Sequence, residues 1–366
     1  MCANTAFNSS ITFICDEAPG DVAEVRNSIL NCVRYAIAAG ARIVVPRIVM
    51  REDYDRDGMR NTTDLSYMFD TEYFLGALGA LCPNMQTFMF SKQVLEVKDL
   101  YGPITLVPEA LAKKIPLAEM SAENWREAFQ KWASQYTDPQ PIVIELGRTF
   151  LQYPVAKEEG NFAYSFGRLL KFHWDIRNLA AITLLKLSES FASSPDLAQP
   201  ILPDLYFGVH LSIVRDSATI TSKVDLAHYS YETQSKLFLE QASKSGLPLI
   251  YVSSDDGADL VQFIHDAKTL NLTVMNKFDL LKGWDRETLL ELTPDQQAMI
   301  DYLVLSKASQ FAGIGHSSFA WNIALQRHHF AEQKDPFDGP QTLSDELSQI
   351  YGTPRARPAY SASMWP

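Results

Sequence analysis

The chain has 366 residues, of which 46% are hydrophobic and 21% charged, with a formal net charge of −12. That length accommodates two domains of ordinary size, and the composition is that of a globular protein rather than a disordered or fibrous one. The acidity argues against a phosphate backbone, so no nucleic acid is expected as partner, and no apolar run reaches the ~18 residues that a membrane span needs.

The first elements alternate. Ile11 to Cys15 is a short apolar run that predicts a strand. Val22, Val25, Ile29, Val33 and Ile37 then recur at helical spacing, and Gly40 is placed to end that helix. Arg42 to Pro46 follows as the next strand, which completes one βαβ unit. Ile142 to Leu146 predicts another strand, with helical stretches around Glu119 to Ser134 and Asp175 to Phe191.

A second cycle starts near Ile201. Its predicted strands are Tyr206–Leu211, Leu249–Ser253, Leu272–Met275 and Phe311–Ile314. Its predicted helices are Tyr231–Ser245, Asp259–Ala267, Asp285–Leu292 and Pro294–Ala308, the last opened by Thr293 as N-cap and Pro294 in the first turn. Strands alternating with helices predict parallel, doubly wound sheets, and two such sets predict two domains. The prolines at 195, 200 and 203 read as a linker. The expected organisation is therefore 1–200, 201–334 and a Pro/Ser-rich tail, 335–366, that packs along the surface or frays.

The remaining local features carry less. Cys2, Cys15, Cys32 and Cys82 form no CxxC pair and are expected to be small buried thiols rather than metal ligands or disulfides. The polar stretch Met1 to Ser10 lacks a signal-peptide core, so a cytoplasmic protein is expected, in which the sequons at Asn8, Asn61 and Asn271 carry no meaning. Asp53, Asp55, Asp57 and Asp64 match the spacing of a calcium loop, with Gly58 at its turn. The last of them is not Glu, and a solvated acidic loop is the default, so no metal is expected. His328 and His329 read as dipole partners at a helix end.

Two segments carry the chemistry. Phe207 to Asp216 reads as a buried strand running into a loop, and open α/β sheets bind ligands at the carboxyl ends of such strands. Gly313 to Asn322 reads as a strand end, a Gly/Ser turn and a helix start, where free N–H groups favour anions. With the run LTPDQQAMIDYLVLSKASQFAGIGHSSFAWNIALQRH, these segments resemble the fungal GDP-fucose O-fucosyltransferase-like family. That family's pattern is close to Gly-Val-His-Leu-Arg on one strand and His-Ser-Ser-Phe-x-Trp-Asn near the end. The resemblance runs from about Asp21 to Phe330 and is most specific in the last third. It implies an α/β, GT-B-like fold: two Rossmann-like doubly wound parallel-sheet domains facing a central cleft, with the nucleotide sugar held mainly by the second.

The departures matter equally. Ser212 stands where the family has an arginine that would grip a pyrophosphate with its paired donors. Arg215 lies three residues on and could substitute if the loop folds back, and Asp216 ends the same segment among the donor-binding candidates. The family's glycine-rich first loop is replaced by Pro19-Gly20-Asp21-Val22-Ala23-Glu24, whose carboxylates suit helix capping and oppose a dianion. Arg26 could answer some of that charge. The resemblance assigns phosphates and a base or sugar pocket to Ser317, Ser318 and Phe319; the other reading is an N-capping serine and a core aromatic. Ser253, Ser254 and Asp255 either touch the nucleotide, as the resemblance implies, or make a strand-to-helix turn. His210 is either a ligand donor or a structural histidine.

Two functions are expected from this. The favoured one is an enzyme on a fucosyltransferase-like scaffold, repurposed to cyclise a small apolar metabolite without any cofactor, with His210, Ser212 and Arg215 as catalytic candidates. The alternative is an O-glycosyltransferase that takes a GDP-sugar as donor. Both predict a small-molecule substrate.

Overall fold

A computed structural model describes residues 2, 5–15, 20–54, 60–96, 100–111, 121–136, 141–147, 149, 155–190, 195–213, 227–254, 256–332, 343–352 and 363–366. The chain divides into two compact units, Met1–His173 with Ala359–Pro366, and Trp174–Pro358.

The first unit opens with β1 (Ile11–Cys15), α1 (Val22–Ala39) and β2 (Arg42–Val44). An antiparallel hairpin, β3 (Ile48–Tyr54) and β4 (Arg60–Thr63), follows. Then come α2 (Thr71–Leu81), β5 (Thr87–Phe88), the single turn α3 (Lys92–Leu95) and β6 (Tyr101–Leu106). The turn α4 (Pro108–Leu111), α5 (Ala122–Ala133), β7 (Ile142–Leu146) and α6 (Gly160–Phe166) complete it. Its sheet has the order β5-β2-β1-β7-β6, all parallel.

Every residue of α1 except Glu24 is buried. That suits a helix of Ile, Val, Leu, Ala and Cys whose few polar side chains find internal partners. Its N-terminus is closed by a capping box: the Glu24 N–H donates to Asp21 at 2.9 Å, and the Asp21 N–H donates to Glu24 at 3.3 Å. Gly40 ends the helix at φ 67°, a conformation that costs glycine nothing.

The second unit runs α7 (Trp174–Glu189), β8 (Phe207–Leu211), α8 (Tyr231–Ser245), β9 (Leu249–Ser254) and α9 (Gly257–Thr269). It continues through β10 (Thr273–Met275), α10 (Lys277–Leu280), α11 (Trp284–Glu291) and α12 (Pro294–Ser306). It ends with β11 (Gln310–Ile314), α13 (Ser318–His328) and β12 (Ser348–Tyr351). Its sheet is parallel with order β10-β9-β8-β11-β12. In chain order that is 3-2-1-4-5, the Rossmann order, so the connection reverses direction between β8 and β11. The core here is Phe207, Val209, Leu211, Ile250, Val252 and Ile314 from the strands, with Phe238 and Phe263 from α8 and α9.

Three expectations change, and a fourth falls largely outside the described residues. The division falls at Trp174, because the 195–203 stretch is fastened to the second unit: the Leu202 N–H donates to the Lys307 carbonyl at 2.9 Å, and Ser309 Oγ donates to the Leu202 carbonyl at 2.7 Å. The four cysteines are paired, Cys2 with Cys82 and Cys15 with Cys32, at Cα separations of 5.2 and 6.0 Å, so the expectation of free thiols fails. Where it is described the tail is built into the fold, with only Ser344 and Glu346 exposed. Ser348–Tyr351 adds an edge strand beside β11, and Ser363, Met364 and Trp365 are fully buried in the first unit. Of the acidic loop, 55–59 and the side chain of Asp53 lie outside the described residues, while Asp64 precedes a short 3-10 turn, Leu65–Tyr67. Among the described residues no helix is long and apolar enough to cross a membrane.

Candidate functional site

The point where β8 and β11 part is the place an open α/β sheet offers a ligand, because the two chains leave in opposite directions and open a crevice at the strands' carboxyl ends. His210 lies one residue before the end of β8 and is buried. Beyond β11, Ser317 caps α13: its hydroxyl accepts from the Ala320 N–H at 3.2 Å. His210 Nδ1 lies 3.5 Å from Ser317 Oγ, so the two strand ends meet side chain to side chain.

Aromatic packing fixes the imidazole. Its ring stacks on Phe319 with centroids 4.5 Å apart and 29° between planes. Phe319 meets Tyr302 edge-on at 5.4 Å, and the Tyr302 hydroxyl donates to the Asn322 amide oxygen. Gly313 is required by this packing. A Cβ there would lie 2.6 Å from Ala320 Cβ, so α13 could not approach β11. That gives Gly313 a task inside the fold, the close packing of α13 on β11.

Ser212 is held by its backbone. Its N–H donates to Gln234 Oε1 at 3.0 Å, and its carbonyl accepts from Gln234 Nε2 at 2.8 Å. The same Nε2 reaches the His228 carbonyl at 2.9 Å, so one fully buried amide on α8 ties both sides of the segment 213–227. Arg215 and Asp216 lie outside the described residues, as does Asp255.

Ser253 has an internal partner. Its hydroxyl donates to Asp301 Oδ2 at 2.9 Å. Asp301 also accepts from Tyr251 at 2.6 Å and pairs with Lys277 at 2.5 Å, with both charged side chains nearly inaccessible. Burial first, and Asp301 second, pushes the Tyr251 hydroxyl well above the ordinary phenol range, so it stays a donor. Ser254 does make the turn: the Asp256 N–H donates to its hydroxyl at 3.2 Å, and Asp256 caps α9. Ser318 is a buried first residue of α13.

Arg26 is not free to meet a ligand. It is 4% exposed, and its guanidinium donates to the main-chain oxygens of Trp365 and Pro366, each at 2.8 Å. His328 pairs with Asp345 at 2.7 Å, in keeping with a structural role at the end of α13.

Sequence reasoning missed Gln234, Tyr302 and His228, which no motif marks. It also passed over His316, which meets Tyr229 edge-on at 4.7 Å beside Ser317. Its position within the Gly-His-Ser-Ser run was the available signal.

No protein-family model matches the sequence, and no curated protein does. Solved structures do. POFUT1 in complex with GDP is 12% identical, over 95% of this chain and 100% of that one, with a TM-score of 0.54. POFUT1 in complex with GDP-fucose gives the same identity, coverage and score. The fucosyltransferase NodZ from Bradyrhizobium is 12–13% identical with a TM-score of 0.44. The chain therefore has a GT-B-like, O-fucosyltransferase-like fold built from two Rossmann-like α/β units.

Proposed function

We propose that the chain is a glycosyltransferase that takes a GDP-sugar as donor and moves the sugar to a hydroxyl of a second substrate. The observation that carries this is the His210–Ser317 meeting at the switch point of the second sheet, at the N-terminus of an 11-residue helix. The fold's likeness to POFUT1, solved with GDP and with GDP-fucose, supports the same reading. In such a transfer the acceptor oxygen bonds to the anomeric carbon and gives its proton to the departing diphosphate or to solvent, the bond from that carbon to the diphosphate oxygen breaks, and GDP leaves with the electron pair. The α13 N-terminus supplies partial positive charge where the leaving group gains negative charge, and His210 and Ser317 supply side-chain donors.

One observation weighs against a donor phosphate at the first unit and keeps the other reading, cofactor-free cyclisation of an apolar metabolite, as the competing hypothesis. Asp21 and Glu24 occupy the N-terminus of α1 as a closed capping box, and Arg26 is spent on the C-terminal segment. The first unit thus offers carboxylates at the helix start where a phosphate would need N–H groups.

Calorimetric titration with GDP and GDP-fucose separates the two. The transferase reading expects saturable binding that Ser317→Ala and His210→Ala each weaken about tenfold or more, the loss of one to two hydrogen bonds to a charged group. Ser212→Arg should tighten it. Absence of GDP binding to the parent, unrestored by Ser212→Arg, would overturn the transferase. The two disulfides and the exposed sequon residues Asn8, Asn61 and Asn271 support an oxidising compartment over the cytosol.

A further inference from the structure

The first unit contains an apolar cavity of about 320 Å³ that none of the candidate site residues lines. Ile37 of α1 and the Cys2–Cys82 disulfide stand on one side of it, and Ala77 and Leu78 of α2 on another. Phe162 and Phe166 of α6 form an aromatic wall. That wall is backed by Trp365, whose ring centroid lies 5.7 Å from Phe162 and 4.5 Å from Phe166. The cavity is therefore held open by packing rather than left by loose side chains.

Its rim has a different character. Leu81 lines the cavity yet is 67% exposed, so the space opens to solvent past an apolar side chain. Arg168, also lining, is exposed and makes no hydrogen bond or ion pair among the described residues. Tyr73 lines it too, and carries the Lys171 ammonium 3.6 Å from its ring centroid. One exposed cation thus lines the apolar cavity, and a second sits on a ring that lines it, in a chain whose net charge is −12.

We infer that this cavity binds a medium-chain apolar acid: an alkyl or isoprenyl chain inside, with its carboxylate at Arg168 and within reach of Lys171's charge. An apolar chain gains by leaving water, and a carboxylate matches the guanidinium fork at the mouth. The volume lies at the small end of ligand pockets, and at the ~30 Å³ that a water takes in the liquid it holds about ten non-hydrogen atoms. Decanoate fits that size with its carboxylate outside. The inference goes beyond the proposed sugar transfer and stands whether or not GDP binds.

The test is titration of the full-length, oxidised protein with decanoate and, separately, with decanol. The parent should bind decanoate saturably at one site, and decanol more weakly. Arg168→Ala should weaken decanoate about five- to twentyfold and leave decanol within twofold. Leu81→Asp, at an exposed position, should weaken both, decanoate the more because it adds repulsion at the mouth. Thermal melting of each variant within a degree or two of the parent establishes that folding is intact. No saturable decanoate binding, or equal effects of Arg168→Ala on acid and alcohol, overturns the inference.

Discussion

Arg26 and Trp365 grip each other across 339 residues of chain: the Arg26 guanidinium donates to the Trp365 main-chain oxygen at 2.8 Å. The same tryptophan donates through its own N–H to Asn27 at 3.0 Å and through its indole N–H to Asn31 at 2.5 Å. Asn31 in turn donates to the Ser363 carbonyl at 3.1 Å. Three polar residues of this buried helix, Arg26, Asn27 and Asn31, are thus satisfied by the last four residues, while Ser28 meets Thr149 and Arg34 meets Glu158. Burying them without those partners would cost about 1–3 kcal/mol each.

Trp365→Ala should therefore destabilise the protein by about 3–5 kcal/mol, through the cavity left against Phe162 and Phe166 and the orphaned asparagine. Arg26→Met should cost about 1–3 kcal/mol, because two main-chain acceptors lose their donor. The double variant should cost less than the sum by about 0.5–3 kcal/mol, since Arg26 holds the main chain and Trp365 the side-chain packing of the same C-terminal segment, and loosening it by one route leaves less for the other to lose. Urea unfolding measures all three. Strict additivity would separate Arg26 from the tail.

The disulfides make a second test. Cys2–Cys82 closes a separation of 80 residues and Cys15–Cys32 one of 17. Loop-closure entropy gives about 4.5 kcal/mol for the longer and about 3 kcal/mol for the shorter. Alkylation of the unfolded, unreduced protein should add no mass, and alkylation after reduction should add four adducts' worth. Replacing either pair by alanines should lower stability, the Cys2/Cys82 pair more. Uptake of label before reduction would show the thiols free.

Acid should loosen the end of the second sheet. Burial alone would raise the Asp345 carboxyl, but hydrogen bonds from His328 and from the N–H groups of Leu347 and Ser348 outweigh it and hold it below its usual value. A carboxyl lowered by folding contributes stability above its unfolded value of about 3.9, and that contribution disappears as pH falls through the folded value. Asp345→Asn should cost about 1–3 kcal/mol at pH 7. The gap between parent and variant should close below about pH 4. A gap that stays constant from pH 7 to pH 3 would remove the charged form from the account.

The strands and helices of the second unit were legible because each is announced locally. Thr293-Pro294 begins α12, and Tyr231 and Ser245 bound α8; in the first unit the run Ile142–Leu146 announces β7 in the same way. The elements that escaped are those whose sequences are short or lack a clean period: the β3–β4 hairpin, α2, the two-residue β5 and β12. Around the site, His210, Ser317 and Phe319 were marked by their motifs and do come together. Ser253 and Arg26 were marked equally well and turn away, to Asp301 and to the C-terminal segment.

What the sequence determined by itself was everything that depends on neighbours a few residues apart: the alternation of strand and helix, the caps at Asp21, Thr293 and Ser317, and the class of fold that alternation permits. What only the tertiary structure decided was the partner of each buried polar or reactive group. Whether Arg26 meets a ligand or Trp365, whether Cys15 stays a thiol or bonds to Cys32, and whether Ser253 faces a crevice or Asp301 all depend on residues brought close by the fold. Burial imposes a partner on most such groups, but it does so in space, and periodicity along the chain carries no record of which distant residue will supply it.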